Sequence, residues 1–370
     1  MQFPFDLGIL GGGQLGRMTI QAAQRMGLKC LSIDPVEDTP AGHIAPSLVG
    51  SLDNPKALAP VFAQCARVTL ENEFVPAKKI IEAIQMAKRL PSCLIPGVET
   101  LAIIQDKLSQ RSTLTKANVA GPKAVAIEGD GERAIAQIGF PMVLKARFGG
   151  YDGKGTRIAH DADEMERHKT SWGQGGWMAE EFVDFKRELA VMVYISHQGI
   201  GTFPTMETIQ VDNVCDVVFP ADCDASQIAI QAVEAVHGIG LFGVELFETK
   251  EGKFMVNEIA PRPHNSGHYS LDWGGASQFE QHVRVVMGLK PAPLDGMPTA
   301  MANLLGQPDS GHYMRGVIGA NLADPGAMIH WYGKSETKTG RKMGHINATG
   351  PDCLPRVRAA RENFYKSWKI

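Results

Sequence analysis

Short apolar runs alternate with helical patterns over the first hundred residues, and that alternation predicts a parallel sheet wrapped by helices. Phe5–Leu10 reads as a buried strand, Arg17–Met26 as a helix, and Leu28–Ile33 as a second strand ending at Asp34. A further strand at Arg67–Leu70 and a helix at Pro76–Lys88 complete a small doubly wound α/β domain over residues 1–97. The texture then changes. A helix over Thr100–Ala117 leads to the strand PMVLKA at Pro141–Ala146 and to WMAEEFV. RELAVMVYI and GLFGVELFETKEGKFMVNEI follow, and these runs read as antiparallel hairpins. Beyond Lys290 come short turn-rich strands (HWYGK, GRKMGHINATG) and a short helix at the C-terminus. The expected division is 1–97, 98–290 with a smaller subdomain at 98–180, and a small β-rich unit at 291–370.

Composition narrows the class. The chain has 370 residues, 44% hydrophobic and 21% charged, with a formal net charge of −3. Its mean hydropathy is −0.11. That balance argues against a nucleic-acid binder that relies on a general positive field. No apolar run approaches the length of a membrane span, and no signal peptide opens the sequence. The six cysteines form no C-x-x-C pair, so reduced, small core residues in the cytoplasm are expected.

The chemistry begins at LGILGGGQLGRM. Gly11, Gly13 and Gly16 have the G-x-G-x-x-G spacing, with Asp34 where a ribose-binding acid would sit. Such a turn aims backbone N–H groups at an anion and does not say which one. A dinucleotide, another phosphate and a tight turn that serves packing alone all fit. Glu71, Asn72 and Glu73 follow the strand at Arg67–Leu70, at the carboxyl end where open parallel sheets hold ligands.

VELFETKEGKFMVNEI carries the strongest signal. A loop centred on Glu251-Gly252 places Glu245 directly opposite Glu258, a like-charge pair that destabilises a sheet. A bound Mg²⁺ removes that penalty by taking carboxylate and phosphate oxygens together. A one-residue slip would put the acids on opposite faces. Strict alternation turns Asn257 away unless the strand bulges there. The run RFGGYDGKGTRI has four glycines in Gly149–Gly155 and lacks the P-loop pattern, so it reads as a mobile hairpin bringing Lys154 over an anion. Lys145 lies inside an apolar strand, where a lysine needs an anionic partner. Glu180, Glu181 and Glu188 sit at strand ends. APRPHNSGHY places Arg262, His264, Asn265 and Ser266 just past Glu258; His264 is either an acid–base group or a structural hydrogen-bonder.

Together PMVLKA, GGYDGKG, WMAEEFV, VELF and VNEIAPRPHNSGH resemble the nucleotide site of the ATP-grasp ligases. GGGQLGRM, ENE at 71–73, APRPHNSGHY and GKSETKTGRKMGHI narrow the likeness to the N5-carboxyaminoimidazole ribonucleotide synthetases, over nearly the whole chain. The resemblance implies a fold of mixed α/β and α+β class. Its parts are an N-terminal parallel-sheet domain for the acceptor, a central two-subdomain nucleotide region and a C-terminal domain. It implies ATP-dependent carboxylation of 5-aminoimidazole ribonucleotide by bicarbonate, with ATP and Mg²⁺, in a cytoplasmic homodimer. By the same resemblance Lys107, Lys145 and Gly150 to Thr156 (Tyr151, Asp152, Gly153, Lys154, Gly155) approach the phosphates. Glu180, Glu181, Phe182, Val183 and Glu188 hold adenine and ribose. Glu245, Asn257 and Glu258 carry the metal. Glu73, Tyr151, Asp152, Lys154, Arg262, His264, Asn265 and Ser266 surround the acceptor and a carboxyphosphate. Lys334 and Arg341 clamp its 5′-phosphate beside Gly12, Gly13, Gln14 and Leu15. Gln210 stands where the family usually has a histidine.

Overall fold

The computed structural model describes residues 3–129, 131–150, 155–169 and 176–369. The N-terminal unit contains β1 (Phe5–Leu10), α1 (Gln14–Arg25), β2 (Cys30–Asp34), β3 (Ser47–Val49), α2 (Pro55–Gln64), β4 (Cys65–Leu70) and α3 (Ala77–Met86). Its four strands are parallel in the order β3-β2-β1-β4. β1 keeps the bounds the apolar run suggests, because a strand buried on both faces needs no alternation to mark it.

The expected helix over Thr100–Ala117 is two helices, α4 (Val98–Gln105) and α5 (Lys107–Lys116). Asp106 breaks it. Its backbone is extended, its carboxylate caps the Leu108 N–H of α5, and Arg147 grips the same carboxylate. Val98 and Leu101 of α4 are buried in the N-terminal core, while Lys107 opens α5. The break therefore aims Lys107 at the neighbouring cleft.

A small antiparallel sheet follows, built from β5 (Ala124–Ile127), β6 (Met142–Ala146), β7 (Thr156–Ala159) and β8 (Trp177–Glu181), with α6 (Glu132–Ile138) and α7 (Ala162–Lys169). Its order is β5-β8-β6-β7. The large sheet takes β9 (Phe185–Ser196), β10 (Gly199–Thr202), β11 (Met206–Val211) and β12 (Val214–Pro220). After α8 (Ser226–Ala235) come β13 (Gly240–Thr249) and β14 (Phe254–Ala260). After α9 (Gln278–Val286) it continues with β15 (Thr299–Leu305), α10 (Tyr313–Ala323), β16 (Met328–Trp331), β17 (Lys342–Thr349) and α11 (Cys353–Trp368). Among the described residues β12 pairs with β15, so the C-terminal strands extend the central sheet. The C-terminal helix is 16 residues long rather than short, because Val357, Ala360, Phe364 and Trp368 bury a full face on that sheet. Five cysteines are buried and Cys223 is half-buried; none is disulfide-bonded. No described helix is long and apolar enough to cross a membrane.

His268, His282 and His345 are fully buried where the units meet. Burial pushes the His282 imidazole down to about 3 and the other two well below 6.5. All three are neutral in the folded state. As pH falls below 6.5, the unfolded chain binds protons that the folded chain refuses. Stability is therefore lost on acidification, with a slope of up to about 1.4 kcal/mol per pH unit for each histidine. Urea midpoints at pH 7.5 and pH 5 check this: the lower pH should give the clearly lower midpoint, and equal midpoints would contradict it.

Candidate active site

The hairpin β13–β14 is the centre of the site. Near its turn, Thr249 donates to the Lys253 carbonyl, and Glu248, Phe247 and Leu246 face Phe254, Met255 and Val256. That places the turn on Glu251, half a residue from the expected centre. Unbroken, this register would set Asn257 opposite Glu245 and turn Glu258 to the other face. It is broken. The register shifts between Glu245 and Leu246, Asn257 is the extra residue, and Glu245 lies opposite Glu258 as expected. The bulge also brings Asn257 onto the same cleft wall as Glu258.

That wall is electrostatically loaded. Burial, then the facing Glu258 and nearby Glu188, push Glu245 up to about 7. Lys107 pairs with Glu258. Burial alone would lower the Lys107 ammonium, but Glu258, Glu73 and Glu245 together hold it above its ordinary value. Lys145 donates to Asn257 Oδ1 at 3.1 Å and to Glu180 Oε2 at 2.6 Å. Glu180, 3% exposed, gives its other oxygen to Arg111 Nε at 3.0 Å. Its carboxylate is thus engaged by two cations of the chain, where adenine or ribose was expected. It positions Lys145.

The cleft between the two antiparallel sheets encloses about 470 Å³. One end is apolar: Phe185 stacks on Phe247 at 4.6 Å, with Val143, Ile158 and Phe182 beside them. The other end carries Glu245, Glu258, Lys107 and Lys145. A flat ring system with an anionic tail fits this polarity. Directly opposite Phe247, Glu188 hydrogen-bonds Gln210, and burial holds its carboxyl above the ordinary range. Gly150, Thr156, Glu181 and Val183 line the mouth. Gly155 sits in the left-handed region at φ +80°. Tyr151, Asp152, Gly153 and Lys154 lie outside the described residues.

Next to the acids, Arg262 forms a bidentate pair with Glu73 at 2.5 and 2.9 Å, tying the central unit to the N-terminal one. His264 Nε2 stands 3.5 Å from Glu245 Oε1, and its Nδ1 meets Ser266 Oγ at 2.9 Å. Asn265 is buried and exchanges reciprocal amide bonds with Asn303. Asn265 and Ser266 therefore shape the loop.

The glycine turn is already full of anions. Gly12 N–H donates to Asp34 Oδ2, and the Gly13 and Leu15 N–H groups donate to Glu71. A Cβ on Gly13 would lie 2.3 Å from Glu71 Oε1. The fingerprint spacing thus serves internal carboxylates, Asp34 and Glu71. Gly333, beside Lys334, packs near Arg17 of α1. Lys334 Nζ donates to the Lys342 carbonyl at 2.6 Å, and exposed Arg341 donates to the Glu336 carbonyl at 3.1 Å. Sequence reasoning missed Arg111 and Lys342, which lines the cleft. An arginine inside a polar-looking helix and a lysine at a strand start carry no local signal.

Comparison with known proteins agrees with this geometry. A ribonucleotide synthetase pre-ATP-grasp domain matches residues 5–105. An ATP-grasp domain matches 112–279, and a phosphoribosylaminoimidazole carboxylase C-terminal domain matches 299–358. The chain is 40% identical over 353 residues to the N5-carboxyaminoimidazole ribonucleotide synthase of Synechococcus elongatus, covering 92% of this chain and 88% of that one. It is 36% identical to the phosphoribosylaminoimidazole carboxylase of Schizosaccharomyces pombe, covering 92% of this chain and 64% of that longer protein. It also resembles the solved N5-carboxyaminoimidazole synthase of Aspergillus clavatus in complex with ADP and 5-aminoimidazole ribonucleotide. That match has a TM-score of 0.88 and 29% identity, covering 99% of this chain and 100% of that one.

Proposed function

Because this chain belongs to the N5-carboxyaminoimidazole ribonucleotide synthetase family of ATP-grasp enzymes, we propose that it uses ATP to carboxylate 5-aminoimidazole ribonucleotide with bicarbonate. The products are N5-carboxyaminoimidazole ribonucleotide, ADP and phosphate, in purine biosynthesis. The observation that carries the reading is the adjacency of two sites. A cleft with a stacked aromatic end and an acid–lysine end opens beside the Arg262–Glu73 pair.

The adenine lies against Phe185 and Phe247, and the phosphates reach Lys107 and Lys145. A bicarbonate oxygen attacks the γ-phosphorus, the bond to ADP breaks, and carboxyphosphate forms. Lysine charge placed where the transferred group gains negative charge lowers that barrier. Arg262 holds the carboxyphosphate. The exocyclic amine of the ribonucleotide, hydrogen-bonded to Glu73, then bonds to the carboxyl carbon, either of carboxyphosphate itself or of the CO₂ it releases; the C–O bond to phosphate breaks, and the departing phosphate takes the proton the amine loses. Lys334 and Arg341 hold the 5′-phosphate beside the turn at residues 12–15.

Glu245, Glu258 and Asn257 would hold Mg²⁺. Two facing carboxylates and an amide oxygen are hard donors, and the like-charge pressure on Glu245 is what a divalent cation relieves. Among the described residues no three His, Cys, Asp or Glu gather to hold a metal unaided, and the two carboxylates and the amide would share the ion with the triphosphate. When bound, the ion supplies charge neutralisation on the triphosphate. A cytoplasmic homodimer belongs to the same proposal, and light scattering should return twice the 40.0 kDa of one chain.

ADP release in the presence of bicarbonate, with and without the ribonucleotide, tests the reaction. The ribonucleotide should stimulate it strongly. An unchanged rate would overturn the acceptor assignment.

A further inference from the structure

We infer that Arg111 is a positioning residue that creates the metal-site spacing by holding the β14 bulge open; this rests on the metal reading above. β14 is an edge strand of the large sheet, so one side of its backbone has no strand partner among the described residues. α5 supplies the partners instead. Arg111 Nη1 donates to the Val256 carbonyl at 2.6 Å, and Nη2 donates to the Asn257 carbonyl at 2.7 Å. The neighbouring Gln110 accepts from the Ile259 N–H at 3.0 Å. The Val256 N–H donates to the Ala120 carbonyl at 2.8 Å. Glu258 is thus bracketed by clamps on both sides, and the extra residue Asn257 is the one Arg111 grips.

The guanidinium suits this work. Its planar fork reaches two successive carbonyls and one carboxylate at once, which a lysine cannot do. Arg111 is 5% exposed and holds Glu180 by its third face, so it also sets the anion that positions Lys145. Gly121 completes the device. A Cβ there would lie 2.3 Å from Arg111 Nη1 and 3.1 Å from the Val256 carbonyl. Any side chain at 121 displaces the pinned guanidinium. Without the bulge the register near the turn runs on, Asn257 faces Glu245, and Glu258 leaves the cleft.

Arg111→Met and Gly121→Ala test this by calorimetric titration of ADP with and without Mg²⁺. The wild-type protein should bind ADP more tightly with Mg²⁺. In both variants the ratio of ADP affinity with Mg²⁺ to affinity without it should fall by about tenfold or more, over and above the loss of metal-free affinity that follows from moving Glu180 and Lys145. Gly121→Ala removes no charge, so its loss isolates the position of the guanidinium from its electrostatics, and it decides the matter if Arg111→Met does not fold. A wild-type protein whose ADP affinity ignores Mg²⁺ would overturn the metal reading. A responsive wild type with equally responsive, cooperatively folded variants would overturn the role of Arg111 alone.

Discussion

Glu258→Gln is expected to reduce ATP turnover by about a thousandfold or more, equivalent to about 4 kcal/mol of transition-state stabilisation. The amide keeps the size of the side chain and removes its charge. Glu258 faces Glu245, pairs with Lys107 and shares a wall with Asn257. Losing the charge weakens the proposed ion site and unbalances Lys107 near the γ-phosphate. The fold should survive, because the substitution relieves a like-charge contact that pushes Glu245 up to about 7. Steady-state ADP release and a thermal melt read the two effects. Near-normal turnover in the variant would refute the metal role.

Arg262→Ala should damage stability and catalysis together. The substitution strands the Glu73 carboxylate, which burial alone would push up and which Arg262 holds below its ordinary range. Removing one partner of a buried ion pair costs about 3 kcal/mol or more. Turnover should fall by about a hundredfold or more, since the group proposed to hold the carboxyphosphate is gone. Adding Glu73→Gln separates the two effects. The double variant should regain most of the lost stability, because no unpaired charge remains, yet be less active than the Glu73→Gln single variant, which carries the loss of Glu73 by itself. Recovery of activity in the double variant to the level of Glu73→Gln would show that Arg262 serves only to neutralise Glu73.

Much of the site was legible because its signals are local. The pairing of Glu245 with Glu258 needs only two strand patterns and a turn between them. It came out right although the turn centre was misplaced by half a residue, because the bulge at Asn257 restores the register. That bulge is tertiary, held from α5, and strand alternation alone cannot announce it. Asp106 breaks a helix-like pattern through Arg147, 41 residues away in the chain. The glycine fingerprint left a ligand phosphate and a packing turn equally open, and in the fold its amides meet Asp34 and Glu71, the latter 58 residues from Gly13. Glu180 read on its own as a solvated strand end, and folding buries it between Arg111 and Lys145 on the cleft wall. Partners distant in sequence decide which polar groups remain for a ligand.

A crystal structure with ADP and Mg²⁺ tests the account most directly. It should place the adenine between the antiparallel sheets at Phe185 and Phe247. An ion about 2.0–2.1 Å from an oxygen of Glu245 and of Glu258 should touch the terminal phosphate. A nucleotide seated instead on the Gly11–Gly16 turn, or an ion that avoids both carboxylates, would contradict it.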